Sequence, residues 1–140
     1  EKVLMAIVRA AENFKRTHTA IFRRFGLSFP QYNVLRVLDA SDDGRNKISD
    51  ISRIMLVPGA NMTGIAKRLE RDGFLIRTSD PRDERVTLLQ ITPKGRKTLK
   101  QIREEKDRSI EKLLGGFSRK AKTELLDKVK QLIKKNRLSS

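Results

Sequence analysis

The chain offers little to covalent chemistry. Its 140 residues contain no cysteine and one histidine, His18, which removes thiolate nucleophiles, disulfides and the soft ligands that zinc prefers. Nothing in it resembles a nucleophile elbow, a phosphate loop, a paired acid or a metal-ligand cluster, so no enzymatic activity, cofactor or metal is expected. What remains is recognition through charge and hydrogen bonds. There are 32 Lys and Arg against 17 Asp and Glu, a formal net charge of +15. A compact body so unbalanced repels itself, and a polyanion is the natural partner; lysine that merely solubilises is the other reading. Against that background Asn61 and Thr63 stand out as groups able to read base edges. Asparagine bridges adenine N6 and N7, and threonine bonds a base or touches the thymine methyl. Ala60, beside them, offers a methyl contact. Arg85 is the type of side chain that enters a narrow minor groove, where the potential is most negative.

Those groups need elements to hold them. Hydrophobic residues make up 37% and charged residues 35%, enough apolar surface for one modest core in one domain spanning residues 1–140. Residues 1–25 carry Val3, Ile7, Ala10, Ala11, Phe14, Ile21 and Phe25 near helical period, with Gly26 as the stop. Pro30 opens a helix through Tyr32, Leu35, Val37 and Leu38, and Asp42, Asp43 and Gly44 read as a loop. A short helix over 47–55, with Ile48, Ile51 and Ile54 on one face, breaks at Val57-Pro58-Gly59. A second helix through Met62, Ile65, Ala66 and Leu69 ends near Asp72-Gly73. Two short helices joined by a tight turn make a helix-turn-helix.

Residues 74–78 and 85–92 read as strands, with turn chemistry over 79–84 between them. A hairpin placed directly after the second helix is a wing. Thr92-Pro93 looks like a cap and first helical residue, opening a long helix to Gly115-Gly116; a last helix covers 118–137. The expected fold is mainly α with a small β-wing: a winged helix-turn-helix lobe in residues 26–92, flanked by dimerisation helices in 1–25 and 93–137. The lobe needs little of the flanking apolar surface, so part of it is expected to pair with a second copy. No apolar run approaches the length of a membrane span. Residues 1–5 do not read as a signal peptide, because Arg9 and Glu12 interrupt any apolar stretch. The expected compartment is the cytoplasm.

In such a lobe the second helix enters the major groove with its N-terminal side chains at the bases, which places Ala60, Asn61 and Thr63 there. Ordinary polar residues of a first helical turn are the alternative. Lys67, Arg68 and Arg71 lie further along and suit phosphates or pairing with Glu70 and Asp72, with Ser49, Arg53 and Arg77 as further phosphate candidates. Residues 1–44 hold 7 basic and 5 acidic side chains, 45–96 hold 11 and 6, and 97–140 hold 14 and 6. The lobe is therefore basic, but the C-terminal helices are more so. That distribution keeps a second function open, a nonspecific basic protein of architectural or RNA-binding type. Against it, the six Phe and one Tyr fall mainly in apolar stripes rather than on a stacking platform.

One stretch is more specific. Gly59-Ala60-Asn61-Met62-Thr63-Gly64-Ile65-Ala66-Lys67-Arg68-Leu69-Glu70-Arg71-Asp72-Gly73-Phe74 is followed by Ile76-Arg77, by Asp80-Pro81-Arg82-Asp83-Glu84-Arg85, and by Ile91-Thr92-Pro93-Lys94-Gly95. In this order and spacing the chain resembles the MarR-type winged-helix regulators over nearly its whole length. The resemblance implies a homodimer knitted by the terminal helices, palindromic operators in double-stranded DNA, usually repression, and often release by a small phenolic or other effector. It also implies that Asp83 orients Arg85 through a charged hydrogen bond. Two positions depart from the family pattern. Val57-Pro58 stands where many members carry a Ser or Thr cap, so the cap is expected from elsewhere. The wing tip reads Asp83-Glu84-Arg85 where Asp-Arg-Arg is common, with the extra cation displaced to Arg82. The family's effector pocket lies between the dimer helices and the reader, which makes His18, with Arg16 or Tyr32, a candidate ligand contact; a histidine packed in an interface is the other reading.

Overall fold

The computed structural model describes residues 1–55 and 57–138, with side chains described for all of these except 60 and 136–138. In chain order the elements are α1 (Lys2–Arg24), α2 (Phe29–Asp39), a 3-10 turn (Asp42–Gly44), β1 (Arg45–Lys47), α3 (Ile48–Met55), α4 (Gly59–Arg71), β2 (Leu75–Asp80), β3 (Asp83–Ile91), α5 (Pro93–Leu114) and α6 (Arg119–Leu138). The architecture is a winged helix-turn-helix, mainly α with a small sheet. Contacts divide the chain into two compact units, Glu1–Glu104 and Glu105–Ser140, and α5 runs through the boundary.

In the first unit α2 starts one residue before Pro30, because Ser28 caps it. The Ser28 hydroxyl accepts the Gln31 N–H at 3.3 Å, and the Gln31 side chain accepts the Ser28 N–H at 2.8 Å, a reciprocal capping box. Tyr32, Val34, Leu35 and Leu38 of α2 enter the core. Only the last turns of α1 join them, through His18, Ile21 and Phe22, while Val3, Leu4, Met5 and Val8 stay 48 to 67% exposed. Ile51 of α3 and Met62, Ala66 and Leu69 of α4 meet Leu75, Leu89 and Ile91 of the sheet. Each fully buried aliphatic side chain of this kind stabilises by roughly 1.5–3 kcal/mol. The expected isoleucine face on α3 is only partly used: Ile51 is buried and Ile48 packs at the margin, but Ile54 is 58% exposed.

The sheet is antiparallel in the order β1-β3-β2. Its β1 strand was not expected, since Arg-Asn-Lys has no strand-forming residue and its partners Leu88, Leu89 and Gln90 lie far along the chain. The wing strands also run further toward their tip than their turn-forming residues suggest. Ser79 pairs with Thr87 and Asp80 with Asp83 across an irregularity, leaving Pro81 and Arg82 as the turn. There the Asp80 carboxylate accepts the Arg82 N–H at 2.9 Å, a local bond that mimics a backbone turn.

A tight corner joins the end of α4 to the start of α5. The Thr92 hydroxyl donates to the Gly73 carbonyl at 2.7 Å and accepts the Gly95 N–H at 3.1 Å, and the Thr92 N–H donates to the Phe74 carbonyl at 3.1 Å. Thr92 is thus the cap of α5, as its place before Pro93 suggests. Gly95 is required here because a Cβ would run into the Phe74 carbonyl oxygen, and Gly73 supplies a positive φ of 79°.

In the second unit, Ser118 caps α6 by accepting the Ala121 N–H at 3.1 Å. Leu125, Leu126, Leu132 and Ile133 on α6 are 39 to 52% exposed. No helix among the described residues is long and apolar enough to cross a membrane.

Candidate nucleic-acid interface

Helix α4 is held by one face and free on the other. Met62, Ala66 and Leu69, three and four residues apart, are fully buried with Ile65 packed beside them, so the opposite face of the helix points outward. Asn61, Thr63, Lys67 and Arg68 are all exposed. The Thr63 hydroxyl donates back to the Gly59 carbonyl at 3.1 Å, which spends its proton and leaves its lone pairs and methyl outward. Arg68 folds its Nε onto the Gly64 carbonyl at 3.2 Å. The side chain of Ala60 lies outside the described residues.

Pro58 occupies the cap position of α4, where its carbonyl accepts the Met62 N–H at 3.1 Å but its side chain makes no cap hydrogen bond, and the replacement cap expected from the Val57-Pro58 departure is not seen among the described residues. An uncapped first turn presents backbone N–H groups and the positive end of the helix dipole, a combination suited to an anion.

The wing carries the other half of the site. Asp83 receives three hydrogen bonds from Arg85: from Nε at 3.0 Å, from a terminal guanidinium nitrogen at 3.1 Å, and from the backbone N–H at 3.1 Å. This two-pronged pairing fixes the plane of a guanidinium whose side chain is 91% exposed. The Arg85 side chain, then its backbone N–H, with the charge of Lys47 adding to them, hold the Asp83 carboxyl below its usual range. Arg82, at the turn, is exposed.

Other candidates are placed differently. Arg77, expected at a phosphate, straps β2 to α4: its Nε donates to Glu70 at 2.7 Å and its backbone N–H to the same carboxylate at 3.1 Å. That pairing lowers the Glu70 pKa, chiefly through the Arg77 side chain. Arg71 pairs with Asp72 at 3.1 Å. Arg53 lies on Asp50 at 2.6 Å on the exposed side of α3, with Ser49 exposed in the same helix. The Glu70–Arg77 strap was missed because its partners sit seven residues apart across a helix-to-strand turn, where no simple periodicity pairs them.

The ligand candidates separate. His18 and Tyr32 both meet Phe22, with ring centroids 6.2 and 4.0 Å away. Arg16 lies apart, exposed and bonded to Asn13 at 3.0 Å. His18 is 1% exposed; its Nδ1 lies 2.8 Å from the Phe14 carbonyl, and its Nε2 is buried without a hydrogen-bond partner among the described residues.

A MarR family profile matches residues 25–86, the segment from the end of α1 to the wing. A MarR-like transcription regulator from Bacillus cereus superposes with a TM-score of 0.81 at 25% identity, covering 95% of this chain and 94% of its own. Residues 25–86 thus carry the segment that the MarR family shares, on the fold that these regulators adopt. The transcriptional regulator Tm0710 of Thermotoga maritima is 28% identical with a TM-score of 0.65, over 100% of this chain and 99% of that one. Among curated proteins, the transcriptional activatory protein BadR of Rhodopseudomonas palustris is 29% identical over 119 residues, which is 84% of this chain and 68% of BadR. Matches to curated relatives span from 48 to 77% of those proteins' lengths. These relatives are named as transcriptional regulators.

Proposed function

We propose that this chain is a sequence-specific, double-stranded DNA-binding regulator that acts as a homodimer on a palindromic operator and represses by occupying it. One observation carries the reading. Burial of Met62, Ala66 and Leu69 turns Asn61, Thr63 and Lys67 outward, in the same compact unit as an exposed, carboxylate-held Arg85. The N-terminal part of α4 reads the major groove through Ala60, Asn61 and Thr63, Arg85 enters the adjacent minor groove, and Ser49, Arg53, Lys67, Arg68 and Arg82 serve phosphates. Arg77 positions the wing instead of touching DNA. The homodimer is supported by the apolar residues that α1 and α6 expose, Val3, Leu4, Met5 and Val8 on one and Leu125, Leu126, Leu132 and Ile133 on the other. Release by a small effector, with His18 and Tyr32 as candidate contacts, rests on the family alone. BadR is named as an activatory protein, so where the operator lies relative to the promoter decides the sign of regulation here.

The test is selection of genomic fragments with the purified protein, followed by footprinting and competition with random duplex and RNA. Two-fold symmetry places half-sites about 10–10.5 base pairs apart, and light scattering should give about twice the 16.1 kDa chain mass. Asn61→Ala should weaken cognate binding by about 5- to 160-fold, the range for one bidentate base contact, while leaving random duplex unaffected. Equal affinity for cognate duplex, random duplex and RNA would replace this reading with a nonspecific basic binder, for which the excess charge of residues 97–140 argues.

A further inference from the structure

The strand that sequence reasoning missed carries two cations, Arg45 and Lys47, to which the site described above assigns no contact with DNA. Arg45 and Lys47 lie opposite Gln90 and Leu88 in β3, whereas Asn46 between them lies opposite Leu89, which is fully buried. Alternation in a strand therefore turns Arg45 and Lys47 to the outer face of the sheet, and both are exposed. Neither side chain has a hydrogen bond or an ion pair among the described residues.

Together with Asp80, Pro81, Arg82, Asp83, Val86 and Leu88 these two side chains line one shallow depression of about 500 Å³. Its charges do not cancel. Arg45, Lys47 and Arg82 face two carboxylates: Asp80, which keeps its charge while accepting the Arg82 N–H, and Asp83, which Arg85 neutralises through three hydrogen bonds and on which the Lys47 charge also acts. Arg45, Lys47 and Arg82 are left as a cationic rim along an apolar floor of Val86 and Leu88, running from the outer edge of the sheet to the wing tip. A depression with cations at its rim and aliphatic groups at its base matches a sugar-phosphate strand, which offers anionic oxygens and an apolar deoxyribose face.

We infer that Arg45 and Lys47 on β1 hold the phosphodiester backbone of the same duplex beside the wing, a second contact strip that lengthens the footprint of each lobe. This rests on the DNA-binding reading above. Such a contact positions without reading sequence, so it raises affinity and salt sensitivity together and leaves the preference among sequences unchanged. It also anchors the wing from its flank, so that Arg85 does not hold the groove alone.

The experiment measures binding of the full chain to a mixed-sequence 30-base-pair duplex by fluorescence anisotropy, from 50 to 200 mM salt. The variants are the double substitution Arg45→Gln with Lys47→Gln and a charge-matched control, Lys97→Gln with Lys100→Gln, from the exposed side of α5. Circular dichroism establishes that each is folded. Removing the cation from one bound phosphate should flatten the plot of log affinity against log salt by about 0.9. For each bound subunit, the β1 variant should thus lose about 12-fold less affinity than the unaltered chain across this range, and the control should follow the unaltered chain. A slope unchanged by the β1 variant would overturn the inference and leave the two cations as guards of an edge strand. Equal flattening by both variants would overturn it too, because only net charge would then matter. Failure of the unaltered chain to bind any duplex would instead sink the DNA-binding reading itself.

Discussion

Replacing Asp83 by asparagine sets two electrostatic arguments against each other. Removing an acid from a surface that faces phosphates should raise affinity: a unit charge 4 Å from another in water is worth a factor of about 5. The geometry predicts the opposite for a cognate operator. Asp83 holds Arg85 by Nε, by a second guanidinium nitrogen and by the backbone N–H, and that grip is what gives a 91% exposed side chain a fixed direction. Without it, ordering the arginine must be met on binding, at a factor of about 2 to 13 for a rotamer-rich side chain. Salt separates the two effects, because at about 0.15 M the screening length is about 8 Å and the long-range gain shrinks, whereas the ordering cost does not. At that salt Asp83→Asn should weaken operator binding about 2- to 13-fold per wing, while random duplex binds as well as before or slightly better. Fluorescence anisotropy on both duplexes reads the ratio directly. If operator and random affinities rise together, Asp83 is only a repelling charge and the preorganised arginine is wrong.

Two further outcomes follow from the same geometry. Thr92→Val keeps the shape of the side chain but removes the cap of α5 and the bond to the Gly73 carbonyl; urea unfolding should show a loss of about 2 kcal/mol, and a loss below about 0.5 kcal/mol would mean the corner does not depend on that hydroxyl. The Glu70 and Asp83 carboxyls are held below their usual range by Arg77 and Arg85. Their contribution is therefore complete above the ordinary carboxylate values near pH 4 and drains away as pH falls through their lower folded values. Thermal melts of the Glu70→Gln and Asp83→Asn proteins should accordingly show a shallower acid limb than the unaltered chain below about pH 4, with no change in pH dependence from 5 to 8.

Much of the lobe was legible because its signals are local. The spacing of Met62, Ala66 and Leu69 declares both the helix and its buried side, so the outward direction of Asn61 and Thr63 follows from the same pattern. Thr92 before Pro93 announces a cap whose role needs no distant partner. The pairing of Asp83 with Arg85 spans two residues, and the family resemblance pointed to it. What escaped was long-range. β1 exists because β3 offers it a partner more than forty residues away, and nothing in Arg-Asn-Lys prefers an extended backbone. Arg77 could not be distinguished from a phosphate contact until α4 and β2 brought Glu70 to it. The turn at the wing tip looked longer than it is, since Asp80 and Asp83 are loop-forming residues that the ladder nevertheless pairs. Arg16, grouped with His18 by closeness in the chain, falls on another side of α1 because two positions along a helix are more than half a turn apart.

The corner formed by Gly73, Phe74, Thr92 and Gly95 has a mechanical consequence. Strand β3 leaves the sheet and becomes α5 within one residue, and that residue is bonded both backward to the end of α4 and forward into the new helix. The absence of a Cβ at Gly95 lets the helix seat directly against the Phe74 backbone. Turning the first turn of α5 therefore either breaks those bonds or carries the base of the hairpin with it.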